Sequence, residues 1–182
     1  MAEIASASFC AFPIEGALPL HGRHYYYFLR RAVESANYRI WASIFIVSVT
    51  RQYDVELEVR DLVSLLSYKR SLGVDVRLIL GDSHTTPSIH DADAVATRYL
   101  KTRRIPVRQN RGEKKSTHSK YVLIDGNLSI IGSHNWTTNA FSISEEDSIA
   151  VYSPEITREL DRDFLSNWMA LKHETDLGKS DH

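Results

Sequence analysis

The 182-residue sequence contains a single cysteine, Cys10, so the chain cannot form an internal disulfide. This scarcity is typical of a reducing compartment, and we expect a cytoplasmic protein. Long hydrophobic runs are also missing, since the longest, residues 40–49, is shorter than the roughly 20 residues that a membrane-spanning helix requires. No basic segment precedes the apolar residues of the amino terminus, which argues against a secretory signal. We therefore expect no membrane association.

A strong net charge is missing too, because 22 Lys and Arg residues stand against 23 Asp and Glu residues. The charges are nevertheless uneven along the chain. Residues 98–120 contain nine basic residues and one acid, Glu113. Such a segment is either a solvated surface or a binding site for a polyanion. The basic residues are Arg98, Lys101, Arg103, Arg104, Arg108, Arg111, Lys114, Lys115 and Lys120.

The composition is 43% hydrophobic, which is sufficient for one domain with a sizeable core. Apolar residues at helical spacing predict helices at 25–37, 55–72, 91–102 and 154–171. Runs of β-branched and aromatic residues predict strands at 38–49, 74–80, 105–108, 119–124, 128–131 and 146–152. This order predicts an α/β fold, with a mixed β-sheet flanked by helices on both faces. We expect a single domain over residues 1–182, with an irregular arm at 1–20 and a flexible tail at 175–182.

The most informative stretch follows the basic segment. His118 and Lys120 are two positions apart on a predicted strand, so their side chains point to the same side. The turn Asp125-Gly126-Asn127 separates that strand from the next and predicts a hairpin. The second strand ends at Gly132-Ser133, and Asn135 follows. Glycine lets a backbone approach a ligand closely, and Ser and Asn hydrogen-bond anionic oxygens, so the group suits a phosphate.

The chemistry of a phosphodiester explains why these residue types belong together. Its negative charge repels nucleophiles, and a side chain that attacks phosphorus covalently divides the reaction into two easier steps. Neutral imidazole is available near pH 7, which suits His118 as the nucleophile. Lys120, Ser133 and Asn135 would hold the non-bridging oxygens, and a general acid would protonate the leaving oxygen. Side chains fill every role, so we expect no metal ion and no cofactor.

The pattern His118-x-Lys120, four residues, Asp125, six residues, Gly132-Ser133-x-Asn135 resembles the HKD motif of the phospholipase D superfamily. The resemblance covers residues 24–172 and implies the family's α/β sandwich and phosphodiesterase activity through a phosphohistidine. It also implies that Glu146 orients the imidazole of His118, and that Asp125 braces the hairpin or acts through Lys120. The family usually continues with Asn-x-Glu, whereas this chain has Ser144-Glu145-Glu146, so Ser144 departs from the pattern.

A second copy of the motif is missing from the sequence, although the family's active site combines two. In that site one histidine is the nucleophile and the other is the general acid. The remaining histidines of this chain lack the accompanying Lys, Asp and Gly-Ser residues. A two-fold homodimer would supply the second motif, with His118 facing the same residue of the partner.

The resemblance and the local charge favour an endonuclease or phosphodiesterase that acts on nucleic acid. In this interpretation the backbone phosphates contact Arg103, Arg104, Arg111, Lys114 and Lys115. Two alternatives stay open: a phospholipase or phosphatidyltransferase, and a non-catalytic dimerisation or nucleic-acid-binding module. A lipid enzyme would need an amphipathic or apolar surface, for which the apolar residues 9–20 are the candidate. The sequence does not distinguish DNA from RNA, or single from double strands.

Two weaker patterns favour ordinary structural explanations. The pairs His90-x-x-Asp93 and Asp82-x-His84 supply too few ligands to predict a metal site. The consecutive tyrosines at 25–27 could stack on bases, but packing of their helix against the core or a partner chain is the favoured interpretation.

Overall fold

The computed structural model describes residues 11–50, 57–81, 86–109 and 117–177. Its strands form one seven-stranded sheet with both parallel and antiparallel pairs. The strands are β1 (Gly16–His21), β2 (Arg39–Ile44), β3 (Asp75–Leu80), β4 (Val107–Gln109), β5 (Lys120–Ile124), β6 (Leu128–Gly132) and β7 (Asp147–Tyr152). Their order across the sheet is β1-β7-β6-β5-β2-β3-β4. The predicted mixed sheet is therefore confirmed.

Helices cover both faces of this sheet. They are α1 (Arg23–Ser35), α2 (Leu57–Ser71), α3 (Pro87–Thr102), α4 (Thr138–Ser142) and α5 (Pro154–Leu177). Residues of α1, α2 and α3 belong to the larger hydrophobic core, as Leu29, Leu62 and Leu100 illustrate. The smaller core on the other face joins α5 to the sheet through Phe164 and Trp168.

Strand β2 shows why the apolar run at residues 40–49 forms the centre of the sheet. Successive side chains point to opposite faces, so Ile40 and Ile44 enter the larger core while Trp41 enters the smaller one. All of its residues except Arg39 are buried. A strand covered by helices on both faces needs apolar residues on both, which explains the missing alternation in the sequence.

The expected arm at residues 1–20 is corrected where the structure describes it. Gly16–His21 forms edge strand β1, which pairs antiparallel with β7 from Gly16↔Tyr152 to His21↔Asp147. Only Leu20 of this strand is buried, so its sequence carries little of the periodicity by which strands are identified. Backbone pairing with β7, rather than side-chain burial, holds this segment in the sheet.

Helices α3 and α4 also differ from the prediction. Helix α3 begins at Pro87 instead of residue 91, because proline is well accommodated in the first turn of a helix. The short helix α4 was not predicted at all. It contains five residues and is capped by Thr137, whose side chain accepts a hydrogen bond from Ala140 N. One turn is too short to produce a helical pattern in the sequence.

The tyrosines at 25–27 have three different environments. Tyr25 is buried in the larger core, and the hydroxyl of Tyr26 donates to Asp61 at 2.8 Å. Tyr27 is 54% exposed. Packing against the core, the favoured interpretation, is thus confirmed for Tyr25, and Tyr27 alone of the three has a largely exposed ring.

The sheet has two ends that bear on function. The motif end carries Ile44, the last residue of β2, which pairs with Lys120, the first residue of β5. The opposite end carries Asp125, whose N–H donates to Arg39 O at 3.1 Å. Five residues of β5 separate the two ends, or about 17 Å of extended chain. Within the part of the chain that the structure describes, no helix is long and apolar enough to cross a bilayer.

Candidate active site

An open cleft of about 600 Å³ lies at the motif end of the sheet. It brings together most of the residues that the sequence assigned to phosphate chemistry. The lining residues are Phe45, His118, Ser119, Lys120, Tyr121, Ile131, Gly132, Ser133 and Asn135. The antiparallel pairing of β5 with β6 explains this convergence, because it places the residues that precede β5 beside those that follow β6.

His118 and Lys120 contact each other directly, as expected for side chains two positions apart on an extended chain. The ammonium Nζ of Lys120 donates to His118 O at 2.7 Å and lies 3.1 Å from His118 Nδ1. Phe45 supports both groups. Its ring centroid is 4.3 Å from that of His118 and 5.0 Å from Lys120 Nζ. The two functional groups are thus fixed against one aromatic surface.

The half-buried position of Lys120 changes its acid–base behaviour. Burial lowers the pKa of Lys120 below its ordinary value, and the negative charge of Glu146 offsets part of this effect. A partly desolvated ammonium interacts more strongly with an anion than an ammonium in bulk water does. Lys120 is therefore suited to bind a phosphate oxygen.

Glu146 precedes β7, and its carbonyl oxygen accepts a hydrogen bond from Gly22 N at 3.0 Å. Its carboxylate acts electrostatically on Lys120 and on His134. No hydrogen bond joins Glu146 to His118 in the described part of this single chain, so its role in orienting that imidazole stays a prediction. The contact from Lys120 makes Nδ1 of neutral His118 an acceptor and places the ring proton on Nε2. Attack through Nε2 requires the opposite tautomer, with a carboxylate at Nδ1.

Backbone contacts fix Ser133 and Asn135 in the cleft. Ser133 N donates to Asp147 O at 3.0 Å, and Asp147 N donates to Ser133 Oγ at 3.1 Å. The side-chain oxygen of Asn135 accepts from Ile46 N at 3.1 Å. This bond directs the amide oxygen of Asn135 toward the protein, which leaves its N–H groups as the donors available to an anion.

Two glycines are required for the cleft, for reasons that differ from the sequence-based interpretation. A Cβ atom on Gly132 would lie 2.1 Å from Ser148 Oγ and 2.4 Å from Asp147 O. The close approach made by Gly132 is therefore to β7 and not to a ligand. A Cβ atom on Gly81 would lie 2.7 Å from Thr117 O. Gly81 thus allows Thr117, the residue before His118, to approach the end of β3.

His134 was not selected from the sequence, yet its buried contacts hold the motif segment in place. Its ring is fully buried and stacks on Tyr25 with centroids 4.1 Å apart. Nδ1 lies 2.8 Å from Ser148 Oγ, and Nε2 lies 3.2 Å from Gly22 O. Burial lowers the pKa of His134, so the ring is held neutral, with Nε2–H donating to the carbonyl. The sequence feature that could have identified His134 is its position between Ser133 and Asn135, two residues of the motif.

Asp125 belongs to the same motif but does not line the cleft. It occupies the opposite end of β5, where its carboxylate accepts hydrogen bonds from three consecutive backbone N–H groups. The donors are Asn37 N at 2.8 Å, Tyr38 N at 2.8 Å and Arg39 N at 2.9 Å. Of the two roles considered for Asp125, the geometry favours the structural one, in which it holds the hairpin against the start of β2.

The basic segment is divided by the fold. Arg103 and Arg104 follow α3 at the opposite end of the sheet, away from the cleft, and their contact with backbone phosphates stays a prediction. Arg111, Lys114 and Lys115 lie outside the described residues. Gln109 and Thr117, the described residues on either side of them, are both at the motif end. Sequence proximity to His118 therefore did not identify which arginines are near it.

The weak metal patterns gain no support. Asp82 and His84 lie outside the described residues. Asp93 is buried on α3, where its carboxylate accepts a hydrogen bond from Val47 N at 3.2 Å. The described residues contain no cluster of three potential ligands.

The protein is thus of the α/β class, with a mixed sheet that carries His, Lys, Ser and Asn side chains at the adjoining ends of two strands. Residues 29–168 match the family described as "Cardiolipin synthase, PLD-like domain". The mitochondrial cardiolipin hydrolase of Danio rerio is 33% identical over 106 residues, which are 58% of this chain and 44% of that protein. The matched segment thus spans less than half of this relative. The chain belongs to the phospholipase D superfamily.

Solved structures resemble the chain at the level of the fold. The phospholipase D family member Nuc from Salmonella typhimurium has a TM-score of 0.66 at 19% identity, covering 84% of this chain and 95% of its own. NucT from Helicobacter pylori has a TM-score of 0.64 at 17% identity, covering 83% of this chain and 94% of its own. Phosphatidylserine synthase from Haemophilus influenzae reaches 0.64 at 14% identity, covering 82% of this chain and 38% of its own.

Proposed function

We propose that the protein is a metal-independent phosphodiesterase, and specifically an endonuclease that cleaves nucleic acid through a covalent phosphohistidine. The observation that carries the proposal is the convergence of His118, Lys120, Ser133 and Asn135 in one open cleft. This set contains a nucleophile and three groups that stabilise negative charge on the non-bridging oxygens.

The reaction proceeds in two displacements. In the first, Nε2 of His118 attacks phosphorus, the bond to the leaving oxygen breaks, and a second histidine donates its proton to that oxygen. In the second, the same histidine removes a proton from water, the water oxygen attacks phosphorus, and the P–N bond to His118 breaks. Lys120, Ser133 and Asn135 hold the charged oxygens throughout. The carboxylate of Glu146 accepts a hydrogen bond from Nδ1–H of the attacking imidazole.

The second histidine comes from a two-fold homodimer in this proposal. Each chain contributes one motif, and His118 is exposed at the open cleft, where a partner chain can approach. The two-fold axis passes through the position of the phosphate. Such a dimer forms one shared active site from the single motif of each chain.

Nucleic acid is the proposed substrate because basic residues accumulate next to the cleft in the sequence. Arg111, Lys114 and Lys115 lie between Gln109 and Thr117 in the sequence, and both of these described residues are at the motif end. They would contact backbone phosphates on either side of the cleaved bond without selecting a sequence. We expect such a protein in the cytoplasm and without a membrane requirement.

A lipid phosphodiesterase is the second candidate, favoured by the relatives. The Danio rerio relative is named a cardiolipin hydrolase, and one structural neighbour is named a phosphatidylserine synthase. The same phosphate chemistry would serve a phosphatidyl substrate. A non-catalytic nucleic-acid-binding dimer is less well supported, because the nucleophile and the three oxygen-binding groups that one chain supplies to the reaction converge in the cleft.

One assay distinguishes these candidates. Purified protein is incubated in EDTA with labelled single-stranded DNA, double-stranded DNA, RNA, phosphatidylcholine and cardiolipin, with His118→Ala as the matched control. We expect cleavage of at least one nucleic acid in EDTA and inhibition by high salt, which weakens phosphate contacts. Loss of all cleavage in EDTA with recovery in magnesium would refute the mechanism. Hydrolysis of a lipid alone would replace nucleic acid by lipid as the substrate, and binding without cleavage would support the non-catalytic module.

A further inference from the structure

A second charged depression lies at the opposite end of the sheet, between the carboxyl-terminal ends of α2 and α3. We call it the arginine groove. It has a volume of about 480 Å³ and is lined by Ser67, Arg70, Ser71, Thr102, Arg103 and Arg104. Three of these six residues are cationic, and none is acidic. Charge of one sign without a counter-charge in the same depression attracts anions from solution or from a ligand.

The walls of the arginine groove are held in place by specific contacts. Nη2 of Arg103 donates to the hydroxyl of Tyr99 at 3.0 Å, and its guanidinium lies 5.1 Å from the centre of that ring. Ser67 Oγ donates to Arg103 O at 2.9 Å, which ties α2 to the end of α3. One guanidinium is therefore oriented before any ligand binds, and this reduces the entropy lost on binding.

The backbone of Arg104 is the second observation. Its φ angle is 57°, in the left-handed region that glycine adopts without strain and that other residues adopt at a cost. It follows the C-cap residue of α3, Arg103, at a position where glycine is the usual residue. A protein with arginine at such a position is less stable than one with glycine there. A role of the side chain would explain why arginine is present, and the side chain of Arg104 lines the groove.

Hydrogen bonds to the last carbonyl oxygens of the two helices do not account for these cations. Hydroxyl groups already bind carbonyl oxygens there, since Ser71 Oγ donates to Tyr68 O at 2.7 Å and Thr102 Oγ1 donates to Tyr99 O at 2.7 Å. Backbone N–H groups beyond each helix also return to its last turn, as Ile105 N does to Leu100 O at 3.0 Å. The carbonyl oxygens are thus satisfied without the arginines.

We propose that the arginine groove is a second anion-binding site that takes phosphate groups. Guanidinium forks match the oxygens of phosphate and bind them through paired hydrogen bonds. The phosphates belong either to the backbone of a nucleic acid or to a small free phosphate compound. Because the groove and the cleft share no lining residue and lie at opposite ends of the sheet, one phosphate cannot occupy both. The inference does not depend on catalysis in the cleft.

Binding of pyrophosphate and of a 20-nucleotide single-stranded DNA, measured by calorimetry, tests the site. Both titrations use the Lys120→Ala background, which weakens anion binding in the cleft. Arg104→Gly is the informative variant. We expect it to weaken binding roughly threefold to tenfold, while its melting temperature equals or exceeds that of the parent because glycine relieves the backbone strain. The two opposite effects exclude misfolding as the cause of lost binding.

Arg158→Gln is the matched control, because it removes one exposed arginine from α5, on the other face of the sheet. It should leave both affinities within twofold of the parent. Weakening for pyrophosphate identifies a free phosphate compound as a ligand, and weakening for DNA alone identifies the polymer. Unchanged affinity in Arg104→Gly for both ligands, absence of binding by the parent, or equal weakening in Arg158→Gln would each overturn the proposal.

Discussion

The two ends of the sheet use residues of one sequence motif for different purposes. At the motif end, His118 and Lys120 contact each other and line an open cleft that a ligand can enter. At the opposite end, Asp125 is saturated by three backbone N–H groups, and no ligand is needed to explain it. All three residues belong to one sequence motif. The comparison shows that a motif can combine chemical and structural residues that lie a full strand apart.

The same comparison applies to the arginines. Arg103 and Arg104 are close to the motif in sequence, yet they line a groove at the end of the sheet that lacks it. A strand of five residues is enough to connect one end of the sheet to the other, because extended chain advances about 3.3 Å per residue. Charge density along a sequence therefore does not report charge density around a site. The following predictions test this division.

The largest effect is expected at His118. His118→Ala should lower turnover by about three orders of magnitude or more, because a shared site loses nucleophile and general acid together. Wild-type and His118→Ala chains are mixed at different ratios and allowed to exchange subunits. Activity is then measured against the mixing ratio. Mixed dimers keep one histidine in their single site and should be nearly inactive, so activity follows the square of the wild-type fraction. A linear decrease, or a fully active monomer by light scattering, contradicts the shared site.

Glu146→Gln should reduce turnover by roughly 10² to 10³, since the attacking tautomer of His118 loses its carboxylate partner. The fold and the dimer should be unchanged in circular dichroism and light scattering. Glu145→Gln is the matched control on the adjacent residue and should keep wild-type turnover. An unchanged rate in Glu146→Gln, with a reduced rate in Glu145→Gln, would transfer the role to Glu145.

Asp125→Ala should behave in the opposite way and lower stability rather than turnover. Three N–H groups lose their acceptor, which we expect to cost about 2 kcal/mol in the free energy of unfolding. Chemical denaturation measures this loss, and turnover is compared at a temperature where both proteins are folded. Asp125→Asn keeps one acceptor oxygen and should lose less. A more than tenfold decrease in turnover of the folded variants would return Asp125 to the active site.

Replacement of Lys114 and Lys115 by Ala should weaken binding of nucleic acid several-fold and reduce the dependence of affinity on salt. Each lost phosphate contact lowers the slope of log affinity against log salt by roughly 0.7 to 0.9. Turnover at saturating substrate should change little. Equal affinities and salt slopes for the variant and the wild type would mean that these lysines are only solvated.

The smallest effect concerns the dependence of stability on pH through His134. Burial lowers the pKa of His134, so the unfolded chain binds a proton as the pH falls below about 6.5 while the folded chain does not, and stability decreases. The facing carboxylates Glu146 and Asp147 oppose this shift. His134→Gln should reduce the slope of unfolding free energy between pH 6.5 and the folded pKa, by at most about 1.4 kcal/mol per pH unit. An unchanged slope would contradict neutral burial.

Local rules predicted much of the fold and of the cleft. The β5–β6 hairpin followed from β-branched residues around Asp125-Gly126-Asn127, and His118 and Lys120 share a cleft because residues two apart on a strand point the same way. Strand β1 was missed because edge pairing leaves little periodicity. Phe45 was missed because nothing in an apolar run identifies the residue that will contact His118.

The sequence by itself determined the class of fold, the motif and the chemistry that the motif can perform, because helical and strand periods, turns and residue types are properties of neighbouring positions. Tertiary structure alone decided which residues share an end of the sheet. Strand register and the crossings of α2 and α3 put Asp125, Arg103 and Arg104 at one end and Phe45 and Gly81 at the other. These distances depend on contacts between segments far apart in the chain, which no local pattern encodes.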